Sequence, residues 1–404
     1  MRVTIKRGVA SGRITAPPSK SIAHRLLISA GLANGVSRIS GVPHCEDVLA
    51  TIDCLRALGA TVEWDGEDAI VRGLDIDKVP TGATLNCRES GSTLRFFLPI
   101  CLLTGVQCTL VGSEKLLSRP LSVYEDLCRE LGFNYRHSPS SLTVRGRLCA
   151  SEIYLRGDVS SQFVTGLLFA LPLCDGDSRI HLTTPLESRS YVDMTLDCLR
   201  SFSISAWFED EATIYVPGHQ RYSACDLSTE GDYSGAAFLL ALNTLGGNVA
   251  VDGLNEHSTQ GDSVCAELLQ RLAEGYTEIS LCDCPDLGPI LFTAAAALHG
   301  ARFTDTRRLR LKESDRVEAM AKELLSFGAD IEIEENAVTV TAAPLHTPKS
   351  VLCGHNDHRI VMSLAVLCTL YGGEIDGAEA ISKSYPDFFE DLACLGIEVT
   401  RNEI

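Results

Sequence analysis

Thr15-Ala-Pro-Pro-Ser-Lys-Ser-Ile-Ala-His-Arg25 turns through two prolines and then opens a helix. Pro17 and Pro18 bias the residues before them away from α geometry. Ser19 or Ser21 can cap a helix start, and Ile22, Leu26, Leu27 and Ala30 recur at helical spacing. Ser21 and Arg25 share the polar side of the first turns, with Lys20 just before. A helix N-terminus has N–H groups without partners and favours anions. Taken alone, this start fits either a phosphate or carboxylate seat or a capped surface helix with solvated charges.

Repetition separates the two readings. Small or polar turns open further apolar helices at Ser90-Gly-Ser92, Ser160-Ser-Gln162, Asp232-Tyr-Ser234, Pro285-Asp-Leu287 and Asn356-Asp-His358. The spacing is about 70 residues, with one gap of about 53 before the fifth start. Offset from these is a second signature, a helix ending in Leu-Gly followed by a short hairpin. It occurs at Leu55-Arg-Ala-Leu-Gly59, Leu127-Cys-Arg-Glu-Leu-Gly132, Leu324-Leu-Ser-Phe-Gly328 and Leu392-Ala-Cys-Leu-Gly396. Glycine after the last turn is the usual helix stop, and alternating stretches such as Ala337-Val-Thr-Val-Thr341 read as half-buried strands. Six units of strand, helix, strand, helix and two strands account for the chain, an α/β architecture. The sixth unit is one strand short, and Val3-Thr-Ile5 is a spare strand. The expected lobes are therefore 15–228, and 229–404 completed by 1–14, with crossovers near 14 and 228 and a ligand cleft between the lobes.

Composition narrows the function. At 404 residues the chain exceeds one ordinary core. A formal net charge of −18 argues against nucleic acid and makes clustered Lys and Arg informative. The 16 cysteines are scattered without any Cys-x-x-Cys, which points to buried thiols in a reducing cytosol and away from zinc or a disulfide framework. Met1-Arg-Val-Thr-Ile-Lys-Arg7 lacks the apolar core of a signal peptide, and no apolar run is long enough for a membrane span. A soluble, cytoplasmic, monomeric protein with no cofactor and no metal is expected. Gly-x-Gly, a Walker loop and His-Glu-x-x-His are all missing, which removes dinucleotide, P-loop and zinc-protease chemistry.

The six helix starts carry Lys20, Ser21, Arg25, Gly91, Arg95, Ser160, Ser161, Gln162, Asp286 and Arg359, among others. Ser118-Arg-Pro120, Lys312-Glu-Ser-Asp-Arg316 and Ser382-Lys-Ser-Tyr-Pro-Asp387 add basic groups beside other helix starts, where the dipole prefers acids. A solvated side chain explains each lone charge. Basic groups at repeat-equivalent turns of an acidic protein fit a binding site for anions better.

These motifs, taken in order with Gly91-Ser-Thr-Leu-Arg95 and Asn356-Asp-His-Arg359, resemble the enolpyruvyl transferases over nearly the whole chain. The likeness is greatest to the shikimate-pathway branch, which leads to chorismate and the aromatic amino acids. The resemblance implies two inside-out α/β lobes, each of three βαβαββ repeats, with the active-site cleft between them. It also implies transfer of the enolpyruvyl group of phosphoenolpyruvate to the 5-hydroxyl of shikimate 3-phosphate, with release of phosphate and no cofactor. Carried over by position, Ser21, Arg25, Ser160, Ser161, Gln162, Ser188, Tyr191, Asp286 and Lys312 fall on the shikimate-phosphate side. Lys20, Gly91, Arg119, Gln162, Arg316, Arg359 and Lys383 fall on the phosphoenolpyruvate side. Addition followed by elimination needs an acid and a base flanking one carbon. Asp286 is the expected base towards the hydroxyl and Glu313 the expected donor to the methylene, with Lys20 sharing the proton traffic.

Two features depart from the commoner family pattern. Glu89-Ser-Gly-Ser92 stands where many members have Asn-Ala-Gly-Thr, and Arg308 stands where an asparagine is usual. The rival within the family acts on UDP-N-acetylglucosamine and carries a reactive cysteine shortly before its Arg-Pro. Here no cysteine lies between Cys108 and Cys128. The rival of another class is a non-catalytic phosphometabolite binder, against which Asp286, Glu313 and Lys20 together argue, since holding anions needs no buried acids.

Overall fold

The computed structural model describes residues 1–402, which divide into two compact units, 18–230 and 1–17 with the described residues of 231–404. The crossovers expected near 14 and 228 fall at 17/18 and 230/231. Thr15 still pairs with Asp252, Ala16 N–H donates to the Asp252 carbonyl, and Thr229 N–H donates to the Ser40 carbonyl.

Six helices fill the interiors: α1 (Lys20–Leu32), α2 (Gly91–Leu103) and α3 (Ser161–Ala170) in one lobe, α4 (Tyr233–Thr244), α5 (Gly288–Ala297) and α6 (His358–Tyr371) in the other. Each is apolar nearly all round, the pattern of a fully buried helix. In α6 every residue from His358 to Thr369 is buried. Sheets and amphipathic helices such as Ser122–Glu130 and Cys265–Glu274 lie outside them, so each lobe is inside-out.

The repeat is explicit in the sheets. Leu227–Ser228 runs parallel to Val36–Ser40, which pairs antiparallel with Asp68–Arg72, itself hairpinned to Thr61–Asp65. The same order recurs in the sheets begun by Ala83–Asn86, Glu152–Leu155 and Thr277–Ser280. In the last sheet Arg2–Ile5 lies between Gly373–Asp376 and Val399–Asn402 and takes the place of the missing strand. The short spacing before the fifth start has a structural counterpart. The fourth unit has no hairpin, and its sheet is only Ser11–Thr15 beside Asn248–Asp252.

Close approach of α2 and α3 depends on particular residues. Pro99 inside α2 has no N–H for the Arg95 carbonyl four residues back. The buried Tyr124 hydroxyl donates there instead, shared with the Phe163 carbonyl, at 3.0 and 2.9 Å. A Cβ at Gly166 would sit 2.3 Å from that hydroxyl and 2.5 Å from the same carbonyl oxygen, so only glycine fits. Eleven of the 16 cysteines are buried free thiols that pack as small apolar groups. Among the described residues no helix is long and apolar enough to cross a membrane.

Candidate active site

Five of the six helix starts are capped by a side chain, and the cap differs by lobe. Ser19, Ser90 and Ser160 accept the N–H of Ile22, Thr93 and Gln162 in the lobe 18–230. Asp232 and Asp357 accept those of Ser234 and Arg359 in the other lobe. The start of α5 uses a short 3₁₀ turn, Pro285–Leu287. Of the two serines proposed for the first cap, Ser19 does the work, which leaves Ser21 on the following turn.

In the lobe 18–230, Arg25 is 3% exposed, and each of its three nitrogens donates to a neutral acceptor. Nε reaches Thr195 Oγ1 at 2.9 Å, and the terminal nitrogens reach the carbonyls of Ser21 at 2.6 Å and Tyr191 at 2.9 Å. The guanidinium also lies 5.5 Å from the centre of the Phe96 ring and 6.0 Å from that of Tyr191. Burial lowers its pKa to about 10, so its charge is poorly compensated where it stands. Lys20 is paired with Asp47 at 2.9 Å.

At the start of α2, Gly91 makes room for two guanidiniums. A Cβ there would meet Arg119 at 3.0 Å and Arg95 at 3.3 Å. Arg95 donates to Gln162 Oε1 at 2.6 Å and to the Pro120 carbonyl at 3.1 Å, which fixes the Ser118-Arg-Pro turn. Gln162 returns a bond from Nε2 to Ser92 Oγ at 2.9 Å. Arg95 thus positions Gln162 and the chain that carries Arg119. Ser161 and Ser188 are buried beside these starts, and Ser188 enters the helix Arg189–Ser201 in the left-handed region at φ 56°.

In the lobe 231–404, Arg316 is a hub of opposite character. It is 1% exposed and donates to Asp286 at 2.8 Å, to Glu313 at 2.7 Å and to Asp357 at 2.9 Å. Asp286 also takes Lys312 at 3.2 Å and Arg359 at 3.1 Å. The surrounding carboxylates outweigh burial and raise the Arg316 pKa. Burial alone would raise that of Asp357, and Arg316 reverses it to a net lowering. Burial also lowers the pKa of Lys312, with Arg308 nearby adding to the effect. Lys383 donates to the Asn356 carbonyl at 2.7 Å, in a loop where His355 and Asn356 both adopt positive φ, 50° and 52°. Non-glycine residues held there store strain, and His355 is pinned by a 2.8 Å contact with the buried Glu323.

The site residues expected from sequence thus fall into two groups. Lys20, Ser21, Arg25, Gly91, Arg119, Ser160, Ser161, Gln162, Ser188 and Tyr191 belong to 18–230, while Asp286, Lys312, Glu313, Arg316, Arg359 and Lys383 belong to the other lobe. Sequence reasoning passed over Asp47, Thr195, Asp262 and Asp357. Asp47 sits in an acidic first turn, where structural logic already expects acids. Asp357 lay inside a quoted motif, and its cap role was legible there from its type. Thr195 and Asp262 gave no local signal.

The family model of EPSP synthase (3-phosphoshikimate 1-carboxyvinyltransferase) matches residues 6–392. A 3-phosphoshikimate 1-carboxyvinyltransferase of Clostridium kluyveri is 37% identical over 422 residues, covering 98% of each chain. That of Clostridium novyi is 37% identical over 416 residues, covering 96% of this chain and 95% of its own. Among solved structures, an EPSP synthase from Acinetobacter baumannii superposes with a TM-score of 0.81 at 20% identity over the whole of both chains. An enolpyruvyl transferase from Streptomyces tendae reaches 0.78 at 16%, covering 99% of this chain and 98% of its own. At such identities these two structures bear on the fold alone, which they share.

Proposed function

The chain belongs to the EPSP synthase (3-phosphoshikimate 1-carboxyvinyltransferase) family, and from that premise we propose how its residues divide the work. The enzyme transfers the enolpyruvyl group of phosphoenolpyruvate to the 5-hydroxyl of shikimate 3-phosphate and releases phosphate. The observation that carries the assignment of roles is the Arg316 hub, on which Asp286 and Glu313 are held by adjacent nitrogens of one buried guanidinium. Two carboxylates fixed in this way are suited to remove one proton and deliver another around a single carbon.

In this reading Asp286 accepts the hydroxyl proton and Glu313 donates to the methylene of phosphoenolpyruvate. Lys20, tied to Asp47, shares the proton traffic. Arg25 with Ser21, Ser160, Ser161, Gln162, Ser188 and Tyr191 takes shikimate 3-phosphate, joined by Asp286 and Lys312. Lys20, Gly91, Arg119, Gln162, Arg316, Arg359 and Lys383 serve phosphoenolpyruvate. Both substrates are polyanions, which arginine forks and lysine charges neutralise. We assign the chain to the cytoplasm as a monomer, and sedimentation should show one species at the mass of a single chain.

The decisive assay is phosphate release from phosphoenolpyruvate, with shikimate 3-phosphate as acceptor and then with UDP-N-acetylglucosamine. Release with shikimate 3-phosphate alone is expected. Release only with the sugar nucleotide would overturn the acceptor, and no release with either would favour a binding protein.

A further inference from the structure

Asp262 is a carboxyl that the reaction scheme leaves without a task. It lies on a short 3₁₀ turn, Gly261–Val264, between the strand Asn248–Asp252 and the helix Cys265–Glu274. Its side chain is 2% exposed. Ser234 Oγ, in the first turn of α4, donates to its Oδ2, while Oδ1 is buried with no hydrogen-bond partner. An ionised carboxylate with one oxygen desolvated and undonated is costly, whereas the neutral acid loses much less. The turn itself is held firmly, because Gln260 accepts Tyr233 N–H at 3.1 Å and donates to the Gly231 carbonyl at 2.8 Å.

Its electrostatic neighbours are those of the candidate site. Asp232 faces it from the cap of α4, Asp286 from the turn before α5 and Arg359 from α6, with the thiols of Cys265 and Cys284 beside it. Asp286 is therefore a carboxylate paired with three cations, Arg316, Lys312 and Arg359, and it has a second carboxyl within electrostatic reach. Those cations weaken a base, and a negative charge at Asp262 strengthens it.

We propose that Asp262 is a positioning residue for the transfer reaction, a buried carboxyl whose protonation state sets the strength of Asp286 as a base. The inference rests on the reading of Asp286 given above. Burial first, and then the charge of Asp286, push the Asp262 pKa up to about 7. Below that range Asp262 is neutral, and Asp286 faces its three cations alone. Above it the Asp262 charge holds a proton on Asp286 more tightly, so abstraction from the hydroxyl is easier. The coupling is reciprocal: a proton arriving on Asp286 relieves the repulsion that keeps Asp262 protonated.

The test is the pH profile of kcat at saturating phosphoenolpyruvate and shikimate 3-phosphate, for the wild type, Asp262→Asn and Asp286→Asn. The wild type should gain activity by roughly 3–10-fold through a step near or above pH 7, and Asp262→Asn should lose that step. A loss of activity that is uniform across pH, with the step retained, is what a merely structural residue would give, and it would overturn the proposal. So would a profile that coincides with that of the wild type. If Asp262→Asn does not fold, infrared spectra of the wild type labelled with ¹³C at the aspartate carboxyls provide an independent measurement. A protonated-carboxyl band should titrate near pH 7 and move to lower pH in Asp286→Asn, and its absence would overturn the proposal. Near-normal turnover of Asp286→Asn would remove Asp286 as base and with it the reading on which this rests. An inactive Asp286→Asn together with an unaltered step in Asp262→Asn would remove the role of Asp262 alone.

Discussion

The two lobes build equivalent helix starts with opposite electrostatics. In 18–230 the caps are serines, and the most buried cation, Arg25, is held by a hydroxyl and two carbonyls. In 231–404 the side-chain caps are aspartates, and the most buried cation, Arg316, touches three carboxylates. A neutral cap satisfies the helix N–H groups and leaves the dipole and nearby cations available to an outside anion. A charged cap cancels the local positive field and brings a carboxylate into the interior. The same repeat thus yields helix starts suited to receiving phosphate in one lobe and helix starts suited to holding acids and bases at fixed positions in the other.

The contrast can be broken most severely at Glu313. Glu313→Gln keeps the shape and removes the titrating proton, so turnover should fall by about 10²–10⁴-fold. Shikimate 3-phosphate binding, measured by calorimetry, should be largely spared. Near-normal turnover would take Glu313 out of the chemistry and leave the acid-rich half as scaffold.

Next comes the paired removal of the two buried arginines. Arg316→Met leaves Asp286, Glu313 and Asp357 facing one another with their main counter-charge gone, and should destabilise the protein by about 3–5 kcal/mol in urea unfolding. Arg25→Met strands only neutral acceptors, so stability should move by about 1–2 kcal/mol. Its affinity for shikimate 3-phosphate should drop by roughly 10–100-fold. Equal stability losses would mean that the two arginines do the same structural job and that the contrast is false.

The smallest expected effect on the fold, and the sharpest on the comparison, comes from exchanging one cap type for the other. Ser160→Asp preserves capping, since aspartate and serine cap about equally well, and unfolding should shift by no more than about 0.5 kcal/mol. The added carboxylate at an anion-receiving start should nevertheless raise the KM for shikimate 3-phosphate by roughly tenfold or more. An unchanged KM would show that the neutral caps of this lobe are incidental.

Much of this was legible in the sequence because the repeat is written in local chemistry. Proline and serine before an apolar run, glycine after Leu and alternating strand residues each specify their own backbone within a few positions. Six copies in register then fix the α/β class and the strand that Arg2–Ile5 lends to the last sheet, while the inside-out packing of the helices came with the family resemblance. Basic residues at repeat-equivalent turns were legible for the same reason, and they are what the proposed anion sites rest on. The truncated fourth unit was visible only as a short gap, because a missing hairpin leaves no residues to read.

Pairing across long separations was not legible. That Arg25 rests on Thr195 and Tyr191 while Arg316 gathers Asp286, Glu313 and Asp357 depends on which helices become neighbours, and no residue type announces it. Protonation is further from the sequence still. Asp262 is an ordinary aspartate by its neighbours in the chain. Only burial, an undonated oxygen and the nearby charge of Asp286 move it towards neutrality, because desolvation and Coulomb energies are properties of the folded lobe. The sequence by itself determined the repeat, the residue types at each helix start and the class of ligand they suit. The tertiary structure decided which of those charges are cancelled and which remain to act.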